Sequence, residues 1–204
     1  MRAAAAVEAL APRNATEDAI LAAARTALAE EPYERLTIDG IARRAFVSRT
    51  TVYFYFPNKR AVMDRLIQTV FARMYAAGAP YLEGRGEPRL ELRLALARVV
   101  TVVNDNATIL LLAAHLSGRE DRLPPEWEPY IRRFIVGAER RIRRDQERGI
   151  APDDIDARIS AQALCAMVER HITMEIVRKG GDATESIRVL AELWWRAVYS
   201  HPSR

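Results

Sequence analysis

Arg49, Thr50, Thr51, Tyr53 and Tyr55 crowd into residues 49–55, with Ser48 just before them and Lys59 just after. An arginine at the start of a helix can grip a guanine edge through two hydrogen bonds, and a threonine can add a base or methyl contact. Tyrosine hydroxyls can donate to phosphates, as can a lysine at the amide end of a helix. Thr37 offers an anion the same service one helix earlier, and Arg44 adds charge. Between Arg43 and Arg60 stand Arg43, Arg44, Arg49, Lys59 and Arg60 and no Asp or Glu. Such a local field suits a polyanion, and double-stranded DNA is the expected partner. Within the same stretch Val52 and Phe56 are expected to be core.

Catalytic chemistry finds little to build on. His115, His171 and His201 are far apart, and none has the i, i+4 spacing of a helical zinc pair. There is no P-loop, dinucleotide fingerprint or Gly-x-Ser-x-Gly elbow. Asp153, Asp154 and Asp156 follow Pro152 and precede a helix, where a cap with dipole-complementing acids is the simpler reading than a metal cluster. The single cysteine, Cys165, lies in an apolar helical run and is expected to be a small hydrophobe. No enzyme activity, cofactor or metal is therefore expected.

The chain has 204 residues, 50% of them hydrophobic and 28% charged, with a net charge of +4. That is enough for a real core without disulfides, and the composition is that of a folded, cytosolic protein. Glu8 interrupts the apolar run after Arg2 too early for a signal peptide, and no run of roughly 18 apolar residues suggests a membrane span. The arginines from Arg132 to Arg148 are diluted by Glu139, Asp145 and Glu147 and read as a solvated helix face.

The positioning elements are all helical by apolar spacing, about nine helices in total with no alternating strand pattern and no repeat. Residues 1–15 read as a flexible arm. A first helix opens at Thr16 and ends at Pro32, a second is capped by Thr37, and a third by Ser48 after a turn at Phe46 and Val47. Asn58 caps a fourth, ending near Gly78 and Pro80 before a Gly- and Pro-rich break at 78–88. Helices follow over 90–103 and 109–116, then a loop from Gly118 to Pro125. A long helix from Trp127 ends at Gly149 with a left-handed cap. The next starts at Asp153 or Asp154, carries its stripe to Ile176 and ends at Gly180 and Gly181, and the last spans 183–200. Two helices this apolar at the carboxyl end are most economically explained by a homodimer, paired as a four-helix interface.

The run TIDGIARRAFVSRTTVYFYFPNKRAV, within Thr16 to Ile67, strongly resembles the TetR family of bacterial transcriptional regulators. That resemblance implies an all-α protomer: a three-helix helix-turn-helix DNA-binding domain over 16–60 and a larger helical ligand-binding and dimerisation domain over 61–204. It implies a homodimer on an operator palindrome, a repressor released by a small molecule. FYFPNK, QERGIAP, MVER and the Trp194–Tyr199 end are similar to the EthR-type branch of the family. This similarity implies a long apolar tunnel for a hydrophobic effector, lined by Leu92, Val99, Val103, Trp127, Ile131, Phe134, Val168 and Trp194, with Glu169 nearby.

Two positions depart from the pattern. Phe46 stands in the turn where the family usually has glycine, so the backbone either avoids a positive φ or carries strain. Cys165 and Val168 stand where the branch offers asparagine amides, which points to a less polar ligand. A competing reading is a small-molecule-binding or scaffolding helical dimer in which DNA binding has lapsed, and Phe46 keeps it open.

Overall fold

The computed structural model describes residues 14–116, 125–177 and 183–200. Among them are nine α-helices and no strand: α1 (Ala15–Glu30), α2 (Ile38–Arg44), α3 (Arg49–Tyr55), α4 (Lys59–Leu82), α5 (Pro88–Asn104), α6 (Ala107–Leu116), α7 (Glu128–Glu147), α8 (Ala157–His171) and α9 (Ala183–Tyr199). The arm through Arg13, the loop between Ser117 and Pro124, Gly180, Gly181 and His201 lie outside the described residues.

Side-chain caps set most helix starts by satisfying first-turn amides that have no helical partner. Thr37 accepts from the Gly40 amide at 3.0 Å, Ser48 from Thr51 at 3.0 Å and Asn58 from Ala61 at 2.9 Å. Two starts differ from expectation. Asn14, not Thr16, caps α1 by accepting from the Thr16 amide at 3.0 Å, and Asp156, not Asp153 or Asp154, caps α8 by accepting from Ile159 at 2.7 Å. Each run holds several cap-competent side chains, and only the backbone turn decides which one reaches an amide.

The described chain divides into two compact units. The first runs through Phe71 and includes the segment beginning at Asn106. Its core holds Ile20, Ala24, Leu28, Ile41, Val52, Phe56, Val62 and Leu66. Arg65 pairs with Glu17 at 2.6 Å, and Arg25 donates to the buried Asn106. A boundary at residue 60 would cut through this packing, because Val62, Met63, Leu66 and Val70 on α4 are all buried.

The second unit comprises Ala72–Asp105 and the chain from Pro125. Leu92, Leu96, Ala138, Ile142, Ala161, Leu164, Leu190 and Trp194 pack one cluster. Gly137 lets α7 approach α4, since an added methyl would sit 3.2 Å from Leu82 Cδ1. α4 does not stop at Gly78 and Pro80 but runs through the proline to Leu82. Proline costs one helical hydrogen bond there, yet the helix end has strong external partners. Arg141 donates to the Tyr81 carbonyl at 2.9 Å and Arg144 to the Glu83 carbonyl at 2.5 Å, two cations at the negative end of the helix dipole. Gly84, at φ 77°, completes the turn.

After His171 the winding loosens into a π-helical segment, Ile172–Val177. The stripe expected to run unbroken to Ile176 therefore changes phase. No single helix among the described residues is long and apolar enough to cross a membrane.

Candidate functional site

α2 and α3 form a helix-turn-helix whose inner face is apolar, with Ile41 and Val52 fully buried and Phe56 nearly so. That packing turns the opposite face of α3 outward, where Arg49, Thr50, Tyr53 and Phe54 are exposed. Arg49 donates to the Tyr53 hydroxyl at 3.3 Å, lies 5.4 Å from that ring centroid and faces Asp39 at 3.5 Å. The Tyr53 hydroxyl, then the Asp39 carboxylate, hold the guanidinium above its usual range. Both members of the Arg49–Asp39 pair are solvent-exposed, so the pair is weak and costs little to release. Ser48 Oγ and Thr51 Oγ1 are 2.7 Å apart at the helix start, and Thr50 is exposed beside them.

Three other expected polyanion contacts make bonds within the protein. Lys59 Nζ donates to the carbonyls of Tyr33, Leu36 and Glu34 at 3.0, 3.3 and 3.4 Å and lies 4.4 Å from the Tyr33 ring centroid. An ammonium has three donors, and all are used in tying the α1–α2 connection to α4. Arg44 pairs with Glu30 at 2.7 Å and Glu31 at 3.5 Å, at the end of α1. Tyr55 accepts from Asn14 Nδ2 at 2.6 Å, joining α3 to the cap of α1. Lys59→Ala is accordingly expected to lower unfolding free energy by roughly 1.5–3 kcal/mol, the worth of hydrogen bonds to a charged donor. Urea unfolding checks this, and the salt slope of DNA binding should be unchanged, whereas loss of a phosphate contact would lower it by about one.

Phe46 resolves the turn question. Its φ is +56°, and it is the only non-glycine residue with positive φ among those described. Its amide donates to the Arg43 carbonyl at 3.3 Å and the Val47 amide to Ala42 at 3.0 Å, the paired bonds that close a helix through a left-handed residue. A phenylalanine in that conformation carries about 1–2 kcal/mol of strain. Its ring is 96% exposed, so burial does not offset the cost. Phe54 is also exposed, at 83%, and packs edge-on against Tyr55 at 5.1 Å. Neither exposed ring follows from apolar periodicity, which places aromatics inside.

In the second unit the expected lining residues divide by burial. Leu92, Val99, Val103, Trp127 and Trp194 are buried, while Ile131, Phe134, Val168 and Glu169 are half-buried. Leu92 and Trp194 belong to the packed cluster, and the Trp194 indole N–H is satisfied by the Tyr81 hydroxyl at 3.1 Å. Phe134 meets Tyr75 edge-on at 5.4 Å, and Phe134 Cε1 and Val99 Cγ2 both lie 3.7 Å from where a Cβ on Gly78 would stand. Glu169 accepts from Thr173 Oγ1 at 3.0 Å, and burial raises its carboxyl above the usual range. Burial pushes the Cys165 thiol up to about 12, which keeps it protonated and unreactive at neutral pH.

The basic run on α7 is not wholly a solvated face. Arg141 is 2% exposed and Asp145 fully buried, joined Nε to Oδ2 at 2.6 Å. Tyr199 donates to the same Oδ2 at 2.7 Å, and the Tyr81 and Tyr199 hydroxyls are 3.1 Å apart. Burial raises both phenols, Tyr81 to about 12. The signal was in the phase: Ile131, Phe134, Ile135 and Ala138 continue at helical spacing onto Arg141, Ile142 and Asp145.

Comparison with known proteins agrees with this geometry. Residues 20–66 match the model of bacterial regulatory proteins of the tetR family, and residues 92–200, more than half of the chain, match that of the transcriptional regulator EthR C-terminal domain. The HTH-type transcriptional regulator EthR of Mycolicibacterium smegmatis is 26% identical over 186 residues, covering 90% of this chain and 86% of that protein. The SmeT–triclosan complex superposes with a TM-score of 0.66 at 21% identity, covering 92% of this chain and 93% of SmeT. FadR from Bacillus subtilis in complex with stearoyl-CoA gives 0.67 at 16% identity, covering 87% and 96%. With a capped helix-turn-helix in one unit and an EthR-like helical domain in the other, the chain belongs to the TetR family of bacterial transcriptional regulators, which are ligand-responsive DNA-binding proteins.

Proposed function

We propose that the protein is a homodimeric repressor that reads an operator palindrome through α3 and is released by a hydrophobic small molecule bound in the second unit. The observation that carries the reading is the outer face of α3, where Arg49, Thr50 and Tyr53 are exposed in a stretch with no carboxylate from Arg43 to Arg60. Arg49 and Thr50, in its first turn, are placed to reach base edges in a major groove, with Tyr53 one turn on and the capped ends of α2 at Thr37 and α3 at Ser48 facing phosphates. Thr51, bonded to Ser48, orients that start. Two such helices would sit about 34–36 Å apart, or a multiple of that turn.

Dimerisation through α8 and α9 is supported by their unpartnered apolar residues. Ile159 on α8 and Val189 and Leu193 on α9 are 58%, 38% and 48% exposed. Ala163, Ala166 and Ala197 are exposed on the same two helices, and small side chains allow close helix approach.

Half-buried Val168 and Phe134 and buried Val99 and Val103 support an apolar effector site, and relatives in the fold carry triclosan or stearoyl-CoA. A ligand releases the operator only through its differential affinity for the two states. Footprinting on DNA upstream of the protein's own gene, with and without organic-solvent extracts of the purified protein, tests this reading. Protection that the extract relieves is expected, and failure to retard that DNA at low salt would sink it. Val168→Arg is expected to leave the fold intact while the extract no longer raises the melting temperature or relieves protection. An unchanged ligand-induced melting shift would count against the site.

A further inference from the structure

Phe46 combines two costs that nothing inside the protein recovers: a left-handed backbone at φ +56° and a ring that is 96% exposed. Its turn is held by the Phe46 amide on Arg43 and the Val47 amide on Ala42, and Val47 is half-buried, so the ring is projected by a closed turn. Arg43 and Arg44 precede it, and the Ser48 cap with Arg49 and Thr50 follows. The ring thus stands within the cationic stretch, immediately outside the helix assigned to the groove.

We propose that Phe46 is a further DNA contact, laying its ring on the deoxyribose surface of the backbone that flanks the groove occupied by α3. This rests on the DNA reading given above. The position favours sugar over base, because base edges are reached from the first turn of the recognition helix, whereas a turn preceding that helix lies over the strand beside it. The chemistry agrees: an uncharged ring gains nothing from a phosphate oxygen, but the C–H surface of a deoxyribose is apolar and can be removed from water against it. Contact of this kind adds affinity without releasing counterions and without choosing a sequence.

The test uses a duplex selected by the wild-type protein from a random-sequence pool, an unrelated duplex of equal length, and a salt series. Phe46→Gly and Phe46→Ala are each expected to lose about tenfold in affinity on both duplexes, the scale of one partly buried ring. The slope of log K against log salt should stay at the wild-type value, and Phe46→Leu should keep most of the affinity. Melting separates strain from contact: Phe46→Gly should melt about 2–4 °C higher, since glycine adopts this φ freely, while Phe46→Ala should not. Wild-type affinity in Phe46→Gly overturns the proposal, as does a changed salt slope or a loss confined to the selected duplex. A shift in the sedimenting mass of the free Phe46→Gly protein with DNA affinity intact would assign the ring to a protein contact and overturn it as well. If the wild-type protein selects no duplex from the pool, the DNA reading fails itself, a result distinct from loss only in the variants.

Discussion

Asp145→Ala is expected to cost about 3–5 kcal/mol of unfolding free energy, the scale for removing one partner of a buried ion pair. The carboxylate is fully buried and holds Arg141 Nε at 2.6 Å and the Tyr199 hydroxyl at 2.7 Å through the same oxygen. Without it, a guanidinium 2% exposed to water keeps its charge, while the hydroxyl loses that acceptor. The damage should spread to the end of α4, because the same guanidinium donates to the Tyr81 carbonyl. Urea unfolding at fixed protein concentration measures the loss. Arg141→Met combined with Asp145→Leu should recover most of it, since a buried pair replaced together by apolar groups is often neutral or better. Among the described residues Asp145 Oδ1 has no hydrogen-bond partner, which favours that recovery. A single variant within about 1 kcal/mol of wild type, a typical surface effect, would show that the pair contributes little.

Arg49→Ala is expected to cut discrimination between the selected operator and its single-base variants by about tenfold to a hundredfold at the positions Arg49 reads, the range for a lost bidentate base contact. Affinity for unrelated DNA should fall much less. The side chain is already oriented by Tyr53 and Asp39, both exposed with it, so its removal should leave the melting temperature near wild type. Competition binding against a panel of single-base operator variants measures the effect. Equal losses on operator and random DNA would make Arg49 a phosphate contact instead. The comparison with Lys59→Ala is informative because that ammonium is held by three backbone carbonyls and its loss should appear in stability.

The nine helices were legible because apolar residues recur at helical spacing and caps mark their starts. Thr37, Ser48 and Asn58 were each the expected cap of a helix, and each accepts from a first-turn amide. Where several caps or an interrupting proline competed, local pattern was insufficient: Asn14 displaced Thr16, Asp156 displaced its two neighbours, and α4 ran through Pro80. In the last case the deciding groups, Arg141 and Arg144, stand about 60 residues away in sequence and supply donors to the helix end.

Side-chain direction was the least legible property. Lys59, Arg44 and Tyr55 carry the same chemistry as Arg49 and Tyr53, and composition cannot separate a side chain left facing outward from one that meets a carbonyl, a carboxylate or another side chain of the protein. By itself, the sequence determined the helical class, the helix-turn-helix and its family, and the cationic stretch, since these depend on periodicity, caps and motif within a few turns of chain. Only the tertiary structure decided that Phe46 is left-handed and exposed, that Lys59 faces inward, and that Arg141 and Asp145 are buried. The direction of Lys59 and the burial of Arg141 and Asp145 depend on which distant backbone or side chain comes within about 3 Å, the range over which a hydrogen bond forms, while Phe46 follows from how its own turn closes on Ala42 and Arg43.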